Sequence, residues 1–202
     1  MYRLRAFMSP QGHTTGTMIA CIFLTLSLPV IATIQGSAHD FSGEGWSESE
    51  SCAVCHTPHN ADFFMDAPLW NHDISTATYT LYSSPTLGVI SEQPGPGNVS
   101  RLCLSCHDGT IAIDSFGGNS GQTYIAERAS LGTDLSNDHP IGVKWNHQGD
   151  RGSYPLGNEV ELYDGKVECP SCHDVHNNRV TGVKLLRSSL EGSRLCFQCH
   201  DK

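Results

Sequence analysis

The chain has 202 residues, and its 21 Asp+Glu against 12 Lys+Arg give a formal charge of −9. A surface this acidic repels polyanions, which argues against nucleic acid and anionic membranes as partners and favours a basic one. Hydrophobic residues make up 38%, glycines number 20, and no long amphipathic pattern recurs, so little regular secondary structure is expected.

The first segment reads as an export signal. Arg3 and Arg5 precede an apolar run from Met18 to Ile34, and Gly36-Ser37-Ala38 supplies a small-residue exit. Residues 1–38 are therefore read as a signal peptide cleaved after Ala38. Delivery is to the periplasm or the cell exterior, with no stable membrane insertion afterwards. A retained anchor is the alternative, but Pro29 interrupts the run, which at roughly 17 residues sits at the lower limit for a span. Met18-Ile19-Ala20-Cys21 is not a lipoprotein box, because the apolar run follows Cys21. Cleavage removes Cys21 and two arginines, leaving ten basic against 21 acidic residues, a formal −11.

Residues 39–51 are acidic and rich in Ser and Gly, an exposed N-terminal arm. Residues 78–87, rich in Thr, Tyr and Leu, read as extended, and Gln93-Pro94-Gly95-Pro96-Gly97 as a loop. Thr110 to Phe116 alternates like a short strand, Gly117 to Gln122 is a turn, and 124–131 has room for one or two helical turns. Asp164-Gly165 can adopt the two positive φ angles of a tight turn, which predicts a hairpin over 159–168. Leu185, Leu186 and Leu190 have helix-compatible spacing, so a short helix over 183–194 is expected.

All eight cysteines outside the leader lie in one pattern, CxxCH, at 52–56, 103–107, 169–173 and 196–200. Two thiols three residues apart can add to the two vinyl groups of one porphyrin, and the adjacent imidazole then binds the iron from one face. On this reading Cys52, Cys55, Cys103, Cys106, Cys169, Cys172, Cys196 and Cys199 hold four haem c groups covalently. His56, His107, His173 and His200 are the proximal ligands. A pair of four-cysteine zinc sites is the competing reading. It leaves unexplained both the histidine after every CxxC and the export signal.

The motifs pair off. Arg-Leu-Cys-Leu-Ser-Cys-His-Asp at 101–108 matches Arg-Leu-Cys-Phe-Gln-Cys-His-Asp at 194–201, and upstream of each stands a CxxCHxxH element, at 52–59 and 169–176. Residues 52–202 thus read as one tetrahaem domain of two dihaem modules, about 52–109 and 169–202, joined by an insert, 110–168. A mature chain of this length could bury an ordinary core, yet it is poor in core material, and at roughly 40 residues per haem four rings would supply the apolar bodies the chain wraps. The fold class expected is haem-cored: mostly loops, with short helices and one or two small β-hairpins.

Six histidines and Met65 remain to cover the second iron face. Methionine ligation raises haem potential, so a chain this poor in Met points to bis-histidine, low-potential haems, with Met65 as packing. His59 and His176 each lie three residues beyond a proximal histidine. So close in sequence, neither can reach round its own flat macrocycle, and each must serve another haem. His139 is set by Pro140 and can be oriented by Asp138, and His72 follows Trp70-Asn71, whose indole can lie against a ring. These four are the distal candidates. His147, in a polar loop, and His39, the mobile start of the mature chain, stand in reserve.

At CHTPHN, PLWNH, LCLSCHDG, NDHPIG and CHDVHN the chain resembles the multihaem c-type cytochromes with doubled CxxCH motifs. The resemblance implies stacked bis-histidine haems and electron transfer to and from other redox proteins, in the periplasm or outside the cell. Some relatives polymerise into filaments in which a CHxxH histidine ligates a haem of the next subunit; His59 is the matching position. The expected function is an electron carrier without substrate turnover. The alternatives are a nitrite- or hydroxylamine-type multihaem reductase with an open iron, and a quinol-oxidising subunit anchored by residues 17–34. Six spare histidines for four iron faces disfavour the first.

Overall fold

Each CxxCH closes into a helical turn, the one backbone shape that puts cysteines three apart on the same side. The histidine N–H donates to the carbonyl of the first cysteine at His56 (2.9 Å), His173 (3.2 Å) and His200 (2.9 Å). The second motif ends a regular helix, α1 (Asn98–His107). The third is a single turn, α2 (Cys169–Cys172), and the fourth a 3-10 turn at Cys196–Gln198. The structure, a computed structural model, describes residues 34–64, 67–85, 87, 95–145, 157–176 and 185–200. Most of the leader, Met65 and His147 lie outside them, as does the apolar run up to residue 33. Among the described residues no helix is long and apolar enough to cross a membrane.

Three small strand pairs complete the regular structure. β1 (Asp62–Phe64) runs antiparallel to β2 (Ala67–Trp70), β3 (Thr80–Leu81) parallel to β4 (Asp134–Leu135), and β5 (Val143–Lys144) antiparallel to β6 (Lys166–Val167). The rest is loop, so the architecture has short helices, small strand pairs and little else.

The apolar core is correspondingly slight. Ala67, Trp70, Val99 and Leu102 form its centre, with Cys55, Ile74 and Tyr163 packed against them. Buried polar side chains are nearly as numerous as buried apolar ones, so hydrogen bonding carries much of the tertiary order. Glu168 is the main tie. Its carboxylate, 2% exposed, accepts the Gly97 N–H at 3.1 and 3.2 Å and the Ser100 hydroxyl. That places a negative charge at the positive end of α1. Ser100 in turn accepts the Cys169 N–H at 2.9 Å, and Ser171 accepts the Glu168 N–H at 3.0 Å. A Cβ on Gly97 would run into the carboxylate; glycine there is a steric requirement. The second and third CxxCH segments are thereby locked together.

Local expectations fared unevenly. Asp164 and Gly165 have φ of 51° and 71°, and Tyr163 bridges Lys166 across that turn, as a two-residue hairpin requires. Residues 124–131 hold one 3-10 turn, Glu127–Ala129. Residues 110–116 are not a strand. Asp114 takes the Thr123 N–H at 2.7 Å and the Thr123 hydroxyl at 3.1 Å, which folds the segment into turns that bury Ala112 and Ser115. The helix expected over 183–194 reduces, in its described part, to one 3-10 turn, Glu191–Ser193. Leu185 has φ of 55°, and residues 185–187 instead bond edge to edge with the third motif, Asp174 N–H to Leu185 O (2.7 Å) and Arg187 N–H to Cys172 O (2.8 Å). The arm is exposed at 42–45 and 48–50 but pinned through Ser47, 1% exposed, whose hydroxyl donates to Phe41 O and Glu44 O.

Candidate haem-binding sites

The eight cysteines of the four motifs carry free thiols and form one run of neighbours: Cys52 beside Cys55, Cys55 beside Cys103 and Cys106, Cys103 beside Cys169, Cys169 beside Cys172, and Cys172 beside Cys196 and Cys199. Burial pushes Cys55 up to about 11, with Cys52 adding to the effect, and Cys106 up to about 12, with Cys55 and Asp108 adding. The Cys103 thiol, hydrogen-bonded to Cys169, is raised and the Cys169 thiol lowered by the same bond.

The imidazoles come together in pairs. His56 and His176 stand with ring centres 6.0 Å apart, His39 and His107 also 6.0 Å, and His139 and His200 6.3 Å. Each pair joins a CxxCH histidine to one remote from it in sequence. Two metal–imidazole bonds of about 2.0 Å, plus about 1.1 Å from nitrogen to ring centre on each side, span about 6.2 Å. All three separations match an iron held between two axial histidines. Among the described residues no group of three or more His, Cys, Asp or Glu converges to hold a metal ion.

Backbone carbonyls fix the tautomers. His56 Nδ1 donates to Pro68 O at 3.0 Å, His107 Nδ1 to Ala129 O at 2.9 Å, and His139 Nδ1 to Pro140 O at 3.1 Å. A carbonyl can only accept, so the proton sits on Nδ1 and Nε2 keeps its lone pair for a metal. Leu69, at φ 61°, is the strained link that presents the Pro68 carbonyl. Trp70 stands edge-on to His56 at 6.2 Å. Its buried Nε1 and the Nδ1 of His39 are the buried side-chain polar atoms without a partner among the described residues. An indole N–H can only donate, and a haem brings two carboxylates as acceptors. Burial, with the His107 and His173 imidazoles next to it, pushes His39 down to about 4.

Two sequence candidates stand elsewhere. His72 is 1% exposed, and its Nδ1 and Nε2 face the carbonyls of Asp73 (2.7 Å) and Ala112 (3.1 Å), with Cys106 Sγ 3.5 Å from Nε2. His59 is exposed on a bend held by Thr57, whose hydroxyl donates to His59 O at 2.9 Å. Among the described residues neither faces another imidazole. His173 is exposed, bridged to Leu186 through its backbone. The composition of the arm around His39 is that of a solvated segment. The signal that could have promoted His39 is the aromatic pair Phe41 and Trp46 in an otherwise polar stretch.

Beside the second site lies a buried hydrogen-bonded cluster. Asp108 accepts from the Ser75 hydroxyl, from Tyr79 OH at 2.6 Å, and from the Thr110 N–H and hydroxyl, each at 2.7 Å. Burial alone would raise the Asp108 carboxyl; the bonds from Ser75, Tyr79 and Thr110 outweigh it and hold the group below its ordinary range. Tyr79 is pushed up to about 12 by burial and by donating to Asp108.

Residues 163–202 match the family model of the doubled CXXCH motif. No curated protein matches the chain. The matched stretch contains the third and fourth motifs, and a motif of this kind implies covalently bound c-type haem and the electron transfer of multihaem cytochromes.

Proposed function

We propose that the protein is an exported tetrahaem c-type cytochrome that relays electrons between redox partners and turns over no substrate. The observation that supports it best is the pairing of His56 with His176 and of His200 with His139, at the separation two axial ligands require. Bound haem supplies reversible one-electron chemistry between ferric and ferrous iron. The chain's part is to anchor, orient and tune. Cys52 and Cys55, and their counterparts in the other motifs, fix each group to a rigid turn. The Nδ1–H bonds of His56, His107 and His139 hold the imidazoles in the ligating tautomer. Neighbouring thiols of different motifs keep successive groups within short reach, which rapid transfer needs. The excess of carboxylates favours the ferric state and so low midpoints, and the acidic surface suits a basic partner.

We also propose that His59 ligates a haem of a second copy. Its exposed ring beside the arm, with no imidazole facing it among the described residues, fits that role, as does the filament-forming habit of some resembling cytochromes.

Intact mass and haem-stain analysis of protein exported in a host that matures c-type cytochromes tests the main reading. Four covalent haems, low-spin spectra and a broad titration below zero are expected. Protein that carries no covalent haem would refute it, and rapid nitrite or hydroxylamine reduction would move it to the enzymes. Electron microscopy of wild type and His59→Ala tests the assembly role: filaments lost in the variant support it, and dispersed wild type refutes it.

A further inference from the structure

We infer that His39 is the second axial ligand of the haem anchored by Cys103, Cys106 and His107, and that the segment 36–47 closes over that haem as a clasp. This rests on the haem reading of the CxxCH motifs and assigns a residue that their spacing cannot reach.

Three observations carry it. The His39 and His107 rings stand 6.0 Å apart, the same separation as in the His56–His176 pair. His107 has committed Nδ1 to Ala129 O, so Nε2 is its free donor. His39 has its Nδ1 buried with no hydrogen-bond partner among the described residues, so Nδ1 is the ring nitrogen this chain offers. That state costs about 1–3 kcal/mol unless something answers it. Iron would.

The arm is built to hold that ring. Asp40 caps a short turn: Oδ2 accepts the Gly36 N–H at 2.7 Å, and Oδ1 accepts the Ser42 N–H at 3.2 Å and hydroxyl at 2.7 Å. The His39 N–H itself donates to Ser37 Oγ at 3.1 Å. Downstream, Phe41 packs on Trp46 at 5.5 Å and Trp46 on Phe116 at 6.2 Å, which nails the polar segment to the body. A solvated arm would need neither the cap nor the aromatic run. The segment therefore spends ordering entropy to deliver one imidazole.

The test is His39→Gly in the full chain, matured with haem beside wild type. The covalent haem count is expected to stay that of wild type, because Cys103 and Cys106 remain. One additional high-spin haem per chain should appear, the reduced variant should bind one more equivalent of carbon monoxide than wild type, and added imidazole should restore the low-spin spectrum. Spin state and carbon monoxide stoichiometry equal to wild type would overturn the inference. Wild type without covalent haem would fail the underlying reading instead, and the two failures are told apart by mass alone. Should His39→Gly not accumulate, His39→Met supplies a replacement ligand. One midpoint is then expected to rise while the others hold, since a thioether favours ferrous iron; four unchanged midpoints would overturn the inference equally.

Discussion

Residues 101–108 and 194–201 carry nearly the same octapeptide, Arg-Leu-Cys-x-x-Cys-His-Asp, and residues 101–107 and 194–200 fold differently. The first is the second half of α1, with Leu102 8%, Leu104 0% and Ser105 0% exposed. The second is a 3-10 turn whose Phe197 is 44% exposed. Arg101 lies over the Tyr79 ring at 5.5 Å and reaches the carbonyls of Ser75 and Ala77. Arg194 pairs with Glu159 in the open. What the two share is the single turn that sets Cys, Cys and His on one side. What separates them is what lies upstream: Gly97-Asn98-Val99-Ser100 can start a helix and meets a buried carboxylate, whereas Leu190-Glu191-Gly192-Ser193 breaks one, with Gly192 at φ 58° and Ser193 at φ 60°. The turn belongs to the motif, and the helix to its setting.

That contrast can be broken in graded ways. Replacing both cysteines of a motif by Ala is expected to remove one haem at either site by intact mass. At Cys103 and Cys106 it should also abolish cooperative thermal unfolding, while at Cys196 and Cys199 the transition should survive. Glu168→Ala comes next. It strands the Gly97 N–H and Ser100 hydroxyl in a buried place, and about 3 kcal/mol of denaturant stability should be lost, with Glu168→Gln recovering part of it. A loss below the error of the measurement would mean that the two motifs are held together some other way. Asp108→Ala should cost about 2 kcal/mol, because the Ser75, Tyr79 and Thr110 donors lose their acceptor. At the small end, Arg101→Ala should cost about 1 kcal/mol through its ring and stem packing. Arg194→Ala, in a solvent-exposed pair, should leave the unfolding midpoint where it was. Equal effects of the two arginine variants would erase the distinction drawn between the copies.

Much of the site chemistry was legible without coordinates, and the reasons are local. CxxCH encodes its own turn, so the placing of two cysteines and a histidine on one side could be expected by position. Asp164-Gly165 encodes its own φ angles, and the hairpin followed. The alternation of residues 110–116 misled because burial there comes from Asp114 folding the chain onto Thr123, a contact nine residues away. The leucines at 185–190 misled because a strand-like partner, the exit of the third motif, took their backbone. The arm was harder still. Its composition is that of a solvated segment, and its order comes from three aromatic rings and a cap. Cleavage after Ala38 would remove the Gly36 N–H and Ser37 hydroxyl that bond Asp40 and His39, leaving the aromatic run to hold the arm; N-terminal mass analysis measures where the mature chain begins.

The sequence by itself determined four CxxCH segments, each closed by a histidine, and that a chain so short of core material would be mostly loop. Those are properties of five-residue windows and of composition. Only the tertiary structure decided which imidazole faces which. His176 meets His56, His139 meets His200, and His39 meets His107 across separations in sequence that no spacing rule spans. The physical reason is that a haem is flat and its two axial ligands approach from opposite faces. The second ligand has to arrive from a different part of the chain, and how that part comes round is set by the buried Glu168 and Ser100 and the half-buried Trp46, whose partners no local pattern names.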